Sequence, residues 1–360
     1  MSKQDSARQP VRVIAFYLPQ FHPIPENDRW WGEGFTEWTN VRKAVPLFAG
    51  HDQPRVPAEL GYYDLRDPLV RQRQASLAAS HGIGAFCYYH YWFAGKQLLE
   101  RPFAEVLASG EPDFPFCLCW ANESWTGIWH GAPDRVLIEQ THPGREDHVR
   151  HFHSLLPAFC DRRYVRIRDR PVFLIYRPTA IEQVESVLDL WRELAVREGL
   201  PGIYFIGILG YQSNRGADHR GFDATTTARL PPYPSRGLLP TRIACAGSAV
   251  FSYDHEEVVD LLIQPPEKDF LDFPCIGPGW DNTPRIGGRG IVVQGSRPAL
   301  FRRNVETALE RVSSWDVEER VIFVKAWNEW AEGNYLEPDA RFGRGYLEAL
   351  RDVVRADSRP

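Results

Sequence analysis

Short apolar runs alternate with amphipathic stretches almost from one end of the chain to the other. The runs Val11–Leu18, Ile83–Tyr89, Phe116–Trp120, Val172–Tyr176, Ile203–Leu209, Phe222–Thr227, Phe273–Ile276 and Val321–Ala326 are mostly apolar at successive positions. Both faces of such strands are covered, as in a parallel sheet flanked by helices. The stretches Leu69–Ser80, Phe103–Ser109, Glu146–Phe159, Ile181–Glu198, Glu256–Gln264, Pro298–Val312 and Tyr346–Val354 carry the spacing of helices with one buried face. Only the connection near Ser213–Arg220 lacks a convincing helix. Roughly eight strand-helix units in one chain of this length predict an α/β protein, a single-domain (β/α)8 TIM-type barrel with long loops at its carboxyl face. Residues 1–10 are expected to be a flexible N-terminus and 11–357 the barrel.

Two connections are too long for ordinary turns. Pro19–Asp67 is dense in Trp, Pro and Gly, and Arg229–Asp254 opens with Pro231-Pro232-Tyr233-Pro234. Both follow a strand, so both are expected to wall a cleft at the carboxyl end of the barrel.

Charge and composition narrow the chemistry. With 42 basic against 47 acidic residues and no basic block, neither nucleic acid nor a membrane surface is an expected partner. The first ten residues are polar and no apolar run is long enough to span a bilayer, which makes a cytoplasmic protein the expectation, with export after removal of a leader as the alternative. Six scattered cysteines without CxxC spacing read as thiols. His148, His151 and His153 cluster on a helix, yet only His148 and His151 share a face, and neither phosphate-cradling glycine motif follows a strand. No metal and no cofactor are expected. Aromatics reach 13%, in excess of what many cores use, and either line a cleft or enlarge the core.

The end of the eighth strand carries the strongest chemical signal. An apolar run passes directly into Asn328-Glu329-Trp330-Ala331-Glu332. Glutamates three apart on a tight turn face the same side. Two carboxylates so placed push their pKa values apart, which lets a neutral acid and an ionised base coexist near pH 7.

That stretch, continued through Gly333-Asn334-Tyr335-Leu336-Glu337-Pro338, resembles the NEW-x-EG-x-x-x-EP signature of glycoside hydrolase family 99. The rest of the chain is more similar still to the WbsX-like proteins, a family-99-like bacterial group associated with polysaccharide gene clusters and called glycosyltransferases. Its patterns appear as Trp30-Trp31-Gly32-Glu33-Gly34-Phe35-Thr36-Glu37-Trp38-Thr39-Asn40, Tyr63-Asp64-Leu65-Arg66, Phe86-Cys87-Tyr88-Tyr89-His90-Tyr91-Trp92-Phe93, Trp120-Ala121-Asn122-Glu123 and Trp280-Asp281-Asn282-Thr283-Pro284-Arg285. The resemblance implies a barrel, carbohydrate chemistry with retention and an oligosaccharide or polysaccharide substrate. It implies Glu329 as base toward a substrate 2-hydroxyl and Glu332 as general acid, with direct attack by one carboxylate as the other retaining route. It brings Asn328, Trp330 and Glu337 to the substrate. The chain departs from family 99 at Ala331, where a histidine commonly stands. Hydrolysis, transfer from a nucleotide sugar and glycan binding without turnover all stay open.

The other candidate substrate contacts lie on strand ends and in the connections that follow them. They are Trp31, Trp38, Tyr88, His90, Trp92, Trp120, Asn122, Glu123, Tyr176, Trp280, Asp281 and Arg285. Trp30, Trp31, Trp38, Trp92 and Trp280 form the set from which a sugar-stacking platform is expected, the remainder being core. Asn122 and Glu123 either accept sugar hydroxyls or cap a helix. His90 either bonds the sugar or is structural. Tyr176 with Arg177, and Asp281 with Arg285, either touch sugar or pair at the rim.

Overall fold

Arg12–Tyr17 sits between two parallel neighbours. Arg12 to Ala15 pair with Val321 to Val324, and Ile14 to Tyr17 pair with Ala85 to Tyr88. The parallel order then runs through Ala85–Phe93, Phe116–Trp120, Arg170–Ile175, Tyr204–Leu209 and Ala224–Thr227. The seventh strand is divided at Pro274, which has no N–H to give to a ladder. Asp272–Phe273 pairs with Ala224–Thr227, Cys275–Ile276 pairs with Val321–Val324, and the Pro274 carbonyl still accepts from the Phe323 amide at 2.9 Å. The two halves close the ring, giving the expected barrel. The computed structural model describes residues 11–127, 132–209, 221–228, 230–232, 238–245, 247–263 and 270–357. The N-terminus 1–10, the segment Ser213–Arg220, Tyr233-Pro234 and Gln264 lie outside the described residues.

The helices Pro68–Ser80, Arg101–Ser109, Arg145–Phe159, Val184–Arg197, His255–Val259, Pro298–Val312 and Gly345–Asp357 follow in the expected order. Pro68–Ser80 starts where its residues dictate: Asp67 accepts from the Leu69 amide at 2.9 Å and Pro68 occupies the first position, whose amide has no helical partner anyway. His255–Val259 is shorter than expected, and the sequence continues toward Pro265-Pro266, which disfavour helix before them. The second strand runs on to Phe93, since Trp92 pairs with Gln97 in a hairpin ending at Leu98. Among the described residues no helix is long and apolar enough to cross a membrane.

Three additions sit beyond the carboxyl ends of the strands. The first long connection folds into Pro25–Trp31 and Glu37–Lys43. A hairpin of Trp125–Gly127 with Ala132–Ile138 follows the third strand. Thr241–Cys245 and Ser248–Asp254, from the second long connection, form a small sheet with Ile291–Gln294. The pattern of the chain predicts neither of these sheets.

Candidate active site

Val321–Val324 is buried throughout, and the chain leaves the barrel through Lys325, itself 7% exposed. Asn328–Glu329 then turns back on Asn334–Tyr335 as a two-residue antiparallel pair, with Trp330–Glu332 forming the tight turn between them. Gly333 ends that turn at φ 58°, where a Cβ would also lie 2.9 Å from the Asp281 amide nitrogen. Glycine is therefore required twice, by conformation and by space. The turn is held from outside by Asp281, whose amide donates to the Glu332 carbonyl at 2.6 Å.

Both glutamates meet Lys325. Its Nζ lies 3.5 Å from Glu329 and 3.4 Å from Glu332. The Tyr89 hydroxyl donates to Glu329 at 3.1 Å, and Arg285 forms an ion pair with Glu332. Arg285 also donates to the fully buried Glu37 at 2.6 Å, and Glu37 accepts from the Ala331 amide at 3.3 Å. An unbroken line of charged groups thus runs from the first long connection through the seventh strand's loop to the eighth strand.

The charges are not shared equally. Burial pushes the Glu329 carboxyl well up, Lys325 offsets this only in part, and the neighbouring Glu332 adds to the rise. Burial acts on Glu332 in the same direction, but Lys325 and Arg285 together hold it well below the ordinary range. Glu37 is raised by burial against the pull of Arg285. These shifts run in opposite directions, favouring the proton on Glu329 and the charge on Glu332, because Arg285 pairs with the second glutamate and not with the first.

These groups open into a cavity of about 370 Å³. Leu18, Gln20, Asn27, Trp31, Tyr89, Tyr91, Glu123, Trp125, Tyr176, Arg285, Lys325, Glu329 and Glu332 line it. Of the sequence-derived candidates, Trp31, Glu123, Tyr176, Arg285, Glu329 and Glu332 share this cavity, and Glu123 also pairs with Arg177 at its rim.

The remaining candidates stand behind the cavity wall, with most of their polar atoms already used. Asn328 spans strands, accepting from the Leu18 amide at 2.7 Å and donating to the Leu18 carbonyl at 3.0 Å. Glu337 accepts from Trp330 at 2.6 Å, Gln74 at 2.7 Å and Tyr63 at 2.9 Å. Trp330 stacks on Tyr335, and Trp38 packs on Trp330 while donating to the Tyr63 carbonyl. Tyr88 is enclosed by Tyr17 and Phe103. His90 meets His151 at 2.8 Å, Trp92 stacks on that same imidazole and bonds Asp147, and Trp120 packs edge-on against it. Asn122 makes a two-way amide bridge to Arg177. Trp280 is buried with the Lys325 ammonium 5.1 Å from its ring centre. Asp281 is taken by His51, Gln53 and Thr283 and faces a separate cavity of about 90 Å³. Alternation explains much of this: on a strand, every second side chain points away from the barrel interior. Thus Tyr89 and Tyr91 reach the cavity while Tyr88, His90 and Trp92 turn outward.

Sequence reasoning passes over Lys325, Tyr89, Tyr91, Gln20, Asn27, Trp125 and Glu37. A signal for Lys325 exists, since it is one of only five lysines in an arginine-rich chain and lies four residues before Glu329. Gln20 and Asn27 are 2% and 0% exposed, and the Gln20 Nε2 and both polar atoms of the Asn27 amide have no protein partner. Such orphans cost about 1–3 kcal/mol each, so they call for an explanation. Among the described residues no group of three or more His, Cys, Asp or Glu is arranged to hold a metal.

The family described as glycosyltransferase WbsX matches residues 13–350. The uncharacterized protein WxcX of Xanthomonas campestris pv. campestris strain B100 is 42% identical over 349 residues, covering 96% of this chain and 50% of that protein. Its counterpart in strain ATCC 33913 matches to the same extent. The chain spans about half the length of these curated relatives. Among solved structures, the GH99 endo-alpha-mannosidase from Bacteroides thetaiotaomicron superposes with a TM-score of 0.60 at 15% identity, over 96% of this chain and 97% of that one. A glycoside hydrolase-like protein gives 0.59 at 15% identity, over 97% and 95%. At these identities the likeness is one of fold.

Proposed function

We propose that this chain, which belongs to the glycosyltransferase WbsX family, is a carbohydrate-active enzyme that cleaves or transfers a glycosidic linkage by a retaining two-glutamate mechanism. The observation that carries the reading is the pair Glu329 and Glu332, bridged by Lys325 at the floor of an aromatic-walled cavity. Glycosidic bond cleavage passes through an oxocarbenium-like state that needs one proton donor and one anion. A buried carboxyl kept neutral and a second kept ionised supply both. In the free enzyme Glu329 is the donor toward the departing oxygen, and Glu332 is the anion that stabilises the sugar, by attack or through a neighbouring hydroxyl. Tyr89 orients the Glu329 carboxyl, and Arg285 with Glu37 fixes Glu332. Tyr176, Trp31 and Trp125 offer faces to an apolar side of the ring.

The test is incubation with defined oligosaccharides, α-mannosides first because the superposing mannosidase shares the fold, with detection of new reducing ends or longer products. Turnover lost in both Glu329→Gln and Glu332→Gln supports the reading. Extension seen only when a nucleotide sugar is supplied supports the glycosyltransferase alternative. Binding without turnover, unaffected by either change, supports a glycan-binding barrel.

A further inference from the structure

We infer that His51 and Asp281 form a positioning couple that sets the Glu332 carboxylate from behind, on the side away from the substrate cavity. Their role rests on the reading of Glu332 as the ionised member of the glutamate pair. Asp281 is fully buried, and both ends of Glu332 lead back to it. Its amide donates to the Glu332 carbonyl at 2.6 Å. One carboxylate oxygen accepts from the Thr283 hydroxyl at 2.6 Å and the Thr283 amide at 3.0 Å, which seats the short helical turn Thr283–Ile286. Arg285, the ion-pair partner of the Glu332 carboxylate, is the third residue of that turn. One residue therefore fixes both the Glu332 backbone and the cation that holds its charge.

The other carboxylate oxygen of Asp281 belongs to the first long connection. His51 Nε2 lies 2.9 Å from it, and Gln53 donates to it at 2.7 Å. The Leu47 amide donates to His51 Nδ1 at 3.0 Å, which assigns the ring hydrogen to Nε2 and aims it at Asp281. Phe48 stacks on the same ring, with centroids 4.5 Å apart. Burial alone would raise the Asp281 carboxyl, yet the His51 bond, the nearby Arg55 charge and the Thr283 bond keep it below the ordinary aspartate range. Asp281 lines the cavity of about 90 Å³ and not the one that holds the glutamates, so it acts through Glu332 and not on the substrate. The same segment returns to the turn once more: Gln53 accepts from the Arg55 amide at 3.3 Å, and Arg55 donates to the Gly333 carbonyl at 2.9 Å.

The test reads the Glu332 carboxyl directly and needs no substrate. Protein carrying ¹³C at the glutamate carboxyl is titrated by NMR, the Glu332 signal being assigned by its loss in Glu332→Gln. In wild type that signal should stay a carboxylate's over the pH range in which the protein is folded. In His51→Ala it should titrate within that range, an upward shift of about 1–3 pH units, because the turn that carries Arg285 drifts from Glu332. Lys325 and Glu329, the other charges that face Glu332, are untouched by the change. His51→Gln, which keeps a donor toward Asp281, should reverse most of the shift. Thr283→Val removes only a hydroxyl, should shift the signal the same way, and serves if His51→Ala does not fold. On a glycoside that wild type turns over, His51→Ala should lower kcat at least about tenfold with KM within about twofold. A carboxylate signal throughout in the folded variants, a shift that His51→Gln does not reduce, or a loss carried by KM alone overturns the couple. If wild type turns over no glycoside, the two-glutamate reading fails and the titration still decides the couple.

Discussion

Lys325 Nζ stands between Glu329 and Glu332, 3.5 Å from one carboxylate and 3.4 Å from the other. Burial opposes the charge of the ammonium, yet the two glutamates hold its pKa above the ordinary lysine value, so it stays a cation. One positive charge shared by two carboxylates does not by itself say which keeps the proton. Arg285, held from behind by Glu37, breaks the tie by pairing with Glu332 and not with Glu329.

Lys325→Met should therefore lower kcat strongly and move the pH profile. Without the ammonium, two buried carboxyl groups repel each other and Glu332 ionises only at higher pH, so the acidic limb of kcat/KM shifts upward by about one unit or more. Lys325→Arg, which keeps the charge, should restore part of the profile. A uniform loss of rate with an unmoved profile would reduce Lys325 to a packing role.

Leaving-group dependence separates the two glutamates. If Glu329 donates the proton, Glu329→Gln slows natural glycosides by about 10²–10⁴-fold but recovers on aryl glycosides with acidic leaving groups. Glu332→Gln then slows both classes alike. The opposite pattern would return the pair to the order that family-99 resemblance implies.

Much of this arrangement is legible in the chain. Eight doubly apolar runs suffice for the barrel, because a covered parallel strand has no polar face to mislead the reading. The glutamate pair is legible because two acids among Trp327, Trp330 and Tyr335 make an improbable solvated turn. Which residues of a rim motif face the cavity is not legible in the same way. Tyr88-Tyr89-His90-Tyr91-Trp92 reads as one aromatic block, and only the fixed register of the strand sorts it. Asn328 and Glu337 look like substrate contacts in the sequence, whereas their partners, Leu18, Tyr63 and Gln74, come from segments hundreds of residues away. The split strand at Pro274 is visible as a proline, but its effect depends on having a different neighbour on each side.

Asn328→Ala tests that distinction directly. The change orphans the Leu18 amide and carbonyl and releases the Tyr63 hydroxyl, all buried. At about 1–3 kcal/mol per orphaned group, denaturant titration should show a loss of roughly 2–4 kcal/mol. A variant of full stability with weakened substrate binding would instead make Asn328 a contact residue.

Stability should fall on acidification from neutral pH. Burial holds His90 down at about 3 and His255 at about 4, and lowers His151 further below the ordinary value of about 6.5. The folded protein keeps these imidazoles neutral while the unfolded chain takes up protons below pH about 6.5, so acid favours unfolding from there downward. Glu337 has the opposite sign. Burial raises it to about 7, so its contribution is complete below the unfolded value near 4.3 and is lost as pH rises toward 7. Glu329 and Glu37, also raised by burial, share the sign of Glu337, but His22, His142 and His148 are held down by burial as well. The imidazoles therefore outnumber the carboxyls in the overlapping window, and the melting temperature should drop between pH about 6.5 and 5. A His90→Gln, His151→Phe double variant should flatten that slope, and an unchanged slope would mean that these imidazoles are not the groups responsible.

Finally, catalysis is expected to be independent of divalent metal and of nucleotide. An oxocarbenium-like carbon is stabilised by a carboxylate directly, whereas a departing diphosphate needs a cation to take its charge. Within the cavity, Arg285 is bound between Glu37 and Glu332, and Lys325 between Glu329 and Glu332, so neither cation can meet a diphosphate without abandoning a glutamate. Breaking those buried pairs would leave uncompensated carboxylates at a cost of about 3–5 kcal/mol, comparable to the stabilisation that bound ligand contributes at 100 to 1,000 times its Kd. Activity should therefore survive excess EDTA, and UDP or GDP with Mn²⁺ should leave the melting temperature unchanged. A rise of several degrees with either nucleotide would show that the glutamates do release their cations, and would favour transfer from a nucleotide sugar.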